Sequence, residues 1–115
     1  TYPGTGFVEL VEGDREDTPE AEACVRAVVE PMLERGADQI VLGCTHYPFL
    51  RPVLDRIVAG RDVRIVDPSP AVARRVAELL DRGGLRAAPD HLPRYEFITF
   101  ADEAYRLRLV WKALG

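Results

Sequence analysis

Ile40-Val41-Leu42-Gly43-Cys44-Thr45-His46-Tyr47-Pro48-Phe49-Leu50 opens as an apolar run of strand type, breaks at a glycine, and continues into a thiol, a hydroxyl and an imidazole on consecutive residues. Pro48 fits the first turn of a helix, where its missing N–H leaves nothing unpaired. The stretch therefore predicts strand, turn and helix, the unit from which parallel sheets are wound. It also puts the thiol at the end of a strand, where open α/β sheets hold their ligands. A helix dipole and a nearby imidazole both favour thiolate over thiol. Cysteine is equally a common core residue, so the residues alone leave a catalytic and a packed Cys44 both open.

Outward from this stretch the chain alternates. Residues 7–11 read as a short strand. Thr18-Pro19-Glu20 supplies an N-cap, a proline at the first helical position and an acid in the first turn. Apolar residues at 21, 24, 25, 28, 29, 32 and 33 then follow helical spacing, and Gly36 ends that helix. Residues 39–42 are a strand, 48–58 a helix and 63–66 a further strand. Asp67-Pro68-Ser69-Pro70 opens a helix through residue 80, with Ser69 or Asp67 as cap, and Gly83-Gly84 closes it. Residues 85–94 read as a loop, 95–100 as a strand and 102–114 as a last helix. The expected fold class is α/β, a mainly parallel sheet flanked by helices.

Composition sets further bounds. The 115 residues are 47% hydrophobic, the size of one ordinary domain. A net charge of -4 argues against nucleic acid or an anionic membrane as main partner. No apolar run approaches the roughly 20 residues of a membrane span, and no signal peptide is visible. Cys24 and Cys44 lack CxxC spacing and read as reduced thiols of a cytoplasmic protein. Two histidines without a supporting cysteine pair make no zinc signature, so no metal is expected. The chain starts at Thr1 and its one methionine is Met32, so we expect a piece of a longer protein.

Gly-Cys-Thr-His-Tyr-Pro after an apolar strand resembles the second cysteine motif of bacterial glutamate racemases, within the aspartate/glutamate racemase superfamily. Phe7-Val8-Glu9-Leu10-Val11-Glu12 is similar to the family's strand ending in a glutamate, and the elements at 19–35, 64–67 and 95–114 fall in the family's order. The resemblance implies a two-lobed fold of which this chain is the C-terminal half. Residues 1–66 would belong to the second lobe and residues 67–115 would return to complete the first, most of which is absent here. Unpaired sheet edges would then invite pairing with another copy, which leaves a homodimer open. The segment Phe97-Ile98-Thr99-Phe100-Ala101-Asp102 departs from the family, which tends to carry a glycine-aspartate turn there.

What the resemblance implies for chemistry is cofactor-independent racemisation of L-glutamate to D-glutamate, for peptidoglycan synthesis. Each lobe supplies one thiol, and the amino acid lies between them. Cys44 would be the acid/base on one face of Cα, Thr45 a contact to the substrate's polar head, His46 a substrate contact and a support to the thiol, and Glu12 the partner of that imidazole. The alternatives on residues alone are a half-exposed His46, a Thr45 bonded to its own backbone and a solvated Glu12. Related aspartate racemases resemble Cys-Thr-Glu at this point, so the histidine favours glutamate. A racemase for another amino acid such as aspartate, or a binding module of the same fold, are the competing readings. Cys24 shares the apolar helix face with Val28 and Met32 and reads as core, as does Trp111 with Leu107 and Val110. The opposing thiol is expected in the missing N-terminal half, so the chain by itself should not racemise glutamate.

Overall fold

The computed structural model describes residues 1–98, 100 and 103–114, which divide into two compact units, Thr1–Glu78 and Leu79–Gly115. The first unit opens with a correction. Phe7–Glu12 is a helix, α1, where a strand was expected. Its buried residues Phe7, Leu10 and Val11 stand at helical spacing, and that one-sided apolar face decides for helix in a segment too short to separate the two periods. Gly6 precedes it at φ 84, in the left-handed region that side chains rarely adopt.

Helix α2, Pro19–Glu34, starts as its sequence predicts: the Thr18 hydroxyl accepts from the Ala21 N–H at 3.2 Å, with Pro19 in the first turn. It ends at Gly36, φ 83, where Gly36 N–H reaches the Leu33 carbonyl and Ala37 N–H reaches that of Met32, the paired closure of a Schellman motif. Thr18→Ala should cost about 1 kcal/mol of stability, read as a lowered urea midpoint at unchanged slope; no change in midpoint would show the cap to be idle.

Strands β1, Gln39–Val41, and β2, Arg64–Val66, pair in parallel with Ile40 opposite Ile65. Between them run a 3₁₀ turn, Tyr47–Leu50, and helix α3, Arg51–Val58. The α-helix thus begins at Arg51, not at Pro48; Pro48 sits in the tighter turn before it. Leu50, Val53, Leu54, Ile57 and Val58 are buried against Ile40, Leu42, Val25 and Val29, and this is the core. Val41, on the other side of the strand from Ile40, is 63% exposed.

An alternating chain of charges crosses the surface over α2 and α3. Arg56 holds Asp17 at 2.7 Å and Glu22 at 3.5 Å, Arg26 holds Glu22 at 2.8 Å and Glu30 at 2.9 Å, and Arg61 reaches Glu30 at 2.8 Å. Hydrogen bonding to Arg26 first, and then the Arg56 charge, holds the Glu22 carboxyl below its usual range. Such pairs contribute little singly at a surface, and more as a network. Each arginine's fork lets it serve two carboxylates at once.

Helix α4, Ser69–Gly83, is capped by Asp67, whose carboxylate accepts from the Ser69 N–H at 2.9 Å. Its apolar residues Val72, Val76, Leu79 and Leu80 follow helical spacing, yet none is buried. In the second unit, Arg86 pairs with Asp81, Tyr95 stacks on Phe97 at 6.5 Å, and helix α5 runs Glu103–Leu114. The strand expected at 95–100 is not formed among its described residues. A strand needs a neighbour for its backbone groups, and β1 and β2 are the only strands among the described residues. Thr99, Ala101 and Asp102 lie outside the described residues. Trp111, expected to pack, is 69% exposed.

Candidate active site

The pairing of β1 with β2 carries on one bond past the strand, Leu42 N–H to the Val66 carbonyl at 3.0 Å, and releases the chain at Gly43. The turn that follows is closed by Tyr47 N–H on the Cys44 carbonyl and Phe49 N–H on that of His46, both at 3.1 Å. Cys44, Thr45 and His46 therefore stand on a short hydrogen-bonded loop anchored at one end by the sheet and at the other by fully buried Leu50.

Beside them is a cleft of about 450 Å³ at the C-terminal ends of both strands. Cys44 and Thr45 form one wall with Leu42, Gly43 and Pro48, and Pro68, Ser69, Val72 and Ala73 form the other. The opening of α4 was expected to serve as a cap rather than as a ligand site, and it also forms a wall of the cleft. Its signal was available, since Pro68-Ser69 leaves the end of β2 as Cys44-Thr45 leaves the end of β1.

Cys44 Sγ lies 3.8 Å from His46 Nδ1, and His46 Nε2 lies 3.2 Å from Glu12 Oε1. The three groups sit in line: thiol at the cleft, imidazole behind it, carboxylate behind that. An ionised Glu12 accepts the Nε2 hydrogen, which leaves Nδ1 with its lone pair toward the thiol. That arrangement can take a proton from sulfur and hand it back. The imidazole is 29% exposed and the carboxylate 41%, so both remain in touch with water. The His46 ring reaches the Cys44 thiol on one side and Glu12 on the other.

Cys24 is placed differently. It packs at the margin of the core and its thiol donates to the Thr5 carbonyl at 3.4 Å. Burial pushes that thiol up, and the Glu20 and Glu9 carboxylates push the same way. Among the described residues no group of three His, Cys, Asp or Glu side chains is placed to hold a metal ion, and no helix is long and apolar enough to cross a membrane.

The family model of the Asp/Glu/hydantoin racemases matches residues 2–76, the span that holds the whole thiol–imidazole–carboxylate line. The chain belongs to that family. Among Asp/Glu/hydantoin racemase relatives, it is 45% identical over 101 residues to the glutamate racemase of Deinococcus radiodurans, covering 88% of this chain and 34% of that one. It is 44% identical over 115 residues to the glutamate racemase of Pseudomonas putida, covering 96% and 42%. Of solved racemases, glutamate racemase isoform RacE1 of Bacillus anthracis superposes with a TM-score of 0.83 at 25% identity, over 99% of this chain and 42% of that one. The Thermus thermophilus glutamate racemase, solved with beta-chloro-D-alanine, gives 0.74 at 34% identity, over 95% and 41%. The chain thus spans about two fifths or less of the length of these racemase relatives.

Proposed function

We propose that this chain supplies one of the two proton-transfer thiols of a glutamate racemase, acting without cofactor. The observation that carries the reading is the line Cys44–His46–Glu12 ending at a cleft. In the reaction, a thiolate on one face takes the Cα hydrogen as a proton, and the electron pair stays on the carbon next to the carboxylate. A thiol on the other face then delivers its own proton to that carbon. The two sulfurs exchange protonation states and the centre is inverted. Cys44 serves one face, and His46, held by Glu12, resets its proton between turnovers. Thr45, on the same cleft wall, offers its hydroxyl and N–H to the substrate's polar head.

The opposing thiol belongs to the rest of the protein, in keeping with the short span this chain covers of its relatives. Residues 1–66 fit as part of one lobe and residues 67–115 as the return to the other. The uncovered apolar face of α4 supports such a partner surface. Glutamate as substrate is supported by the names of the relatives. The product would feed peptidoglycan synthesis in the cytoplasm, and a homodimer of the full protein fits the open sheet edges.

The test is D-glutamate formation from L-glutamate, followed by circular dichroism. The full-length protein should turn over glutamate and the 115-residue chain should not. Turnover by the chain at the full-length rate would overturn the two-thiol reading. Activity of the full-length protein on aspartate but not glutamate would overturn the substrate.

A further inference from the structure

Glu12 and His46 are 34 residues apart in sequence and meet because α1 lies against the 3₁₀ turn. A hydrogen bond at 3.2 Å between two half-exposed groups does not hold a helix in place. Something else must set how far α1 slides along the turn. Burial of Leu10 and Val11 seats α1 on the core, and the contact that ties it to this turn in particular lies at its other end, where Phe7, 5% exposed, meets the Tyr47 ring edge to face, centroids 5.3 Å apart at 70°. Tyr47 is the residue directly after His46. Its phenol lies over Gly4, so closely that a Cβ there would stand 2.5 Å from Oη, 2.8 Å from Cζ and 2.6 Å from the Phe7 ring. Gly4 also accepts the Phe7 N–H at 3.1 Å, which ties this floor to the first residue of α1.

We propose that Tyr47, seated on Gly4 and Phe7, is a positioning residue for the Glu12–His46–Cys44 relay. The aromatic contact and the carboxylate contact grip the same short helix at points about 7.5 Å apart along its axis. The first fixes the register and the second uses it. Tyr47 touches no reacting atom; it acts through Glu12. Gly4 is required because its position must admit a ring where any side chain would displace it. The inference rests on the relay reading given above, and its test keeps the two apart.

The readout is the rate at which iodoacetamide alkylates Cys44 at fixed pH, in the 115-residue chain with Cys24→Ala so that one thiol remains. Alkylation follows the thiolate. Glu12→Ala should slow it on the order of tenfold, as for coupled neighbours. Tyr47→Leu should slow it by the same factor, and the double variant should be no slower than Glu12→Ala alone. Tyr47→Phe, which keeps the ring, should restore the rate. Gly4→Ala should behave as Tyr47→Leu; should it fail to fold, the Tyr47 variants decide. Independent, multiplying effects of Glu12→Ala and Tyr47→Leu would overturn the proposal, as would an unchanged rate in Tyr47→Leu or a loss in Tyr47→Phe equal to that in Tyr47→Leu. If Glu12→Ala itself leaves the rate unchanged, the relay falls and the positioning role with it.

Discussion

Cys44→Ala in the full-length protein is expected to lower racemisation by about 10²–10⁴-fold, the range for removing a positioned acid/base group. The argument is geometric. Cys44 is the one thiol on the cleft wall, and it is the one with an imidazole at 3.8 Å. Cys24→Ala should leave turnover unchanged, because that sulfur faces the Thr5 carbonyl and is kept protonated by burial. Stereochemistry sharpens the result. A site left with one thiol can still remove the Cα hydrogen from one enantiomer and return it to the same face. In heavy water, one enantiomer of glutamate should therefore go on exchanging its hydrogen for deuterium while inversion stops. Inversion by Cys44→Ala near the unmodified rate would remove this cysteine from the chemistry.

The second large effect is on stability. Leu50 is 0% exposed and is among the largest fully buried side chains. It is also the residue at which the thiol-bearing turn enters the core. Leu50→Ala should cost about 2–5 kcal/mol, combining the lost burial with the cavity left behind. Against a typical domain stability of about 5–15 kcal/mol that is a large share. A urea titration by circular dichroism measures it, with Leu92→Ala, 87% exposed, as the control that should stay within about 0.5 kcal/mol. A Leu50→Ala midpoint matching the control would mean that the turn is not anchored where the packing places it.

Much of the first unit was legible because its signals are local. The cap Thr18-Pro19, the closing Gly36 and the strand ending in Gly43-Cys44 each declare themselves within a few residues. The misreadings have local causes as well. Phe7-Val8-Glu9-Leu10-Val11-Glu12 is short enough to satisfy both periods, and the choice was made by a face that buries positions 7, 10 and 11. The stretch at 95–100 has strand composition, but composition cannot supply a neighbouring strand. The site divides in the same way. Cys44, Thr45 and His46 are contiguous, so the residues themselves marked Cys44 as a candidate, while the roles of Thr45 and His46 came through the family resemblance. Glu12 lies 34 residues from His46 in sequence and came only through the family resemblance. The seat of Tyr47 on Gly4 could not be read at all, because a glycine's need for close approach is set by whatever the fold brings over it.

The short α1 has a consequence for how the protein would fail. A helix of six residues has little stability of its own, and α1 carries the carboxylate that steadies the imidazole. Sulfur and ring sit two residues apart on a loop bonded to the sheet, so they outlast it. What holds α1 is the burial of Phe7, Leu10 and Val11, so loosening of that one face would disconnect the carboxylate while the thiol and the ring stayed together.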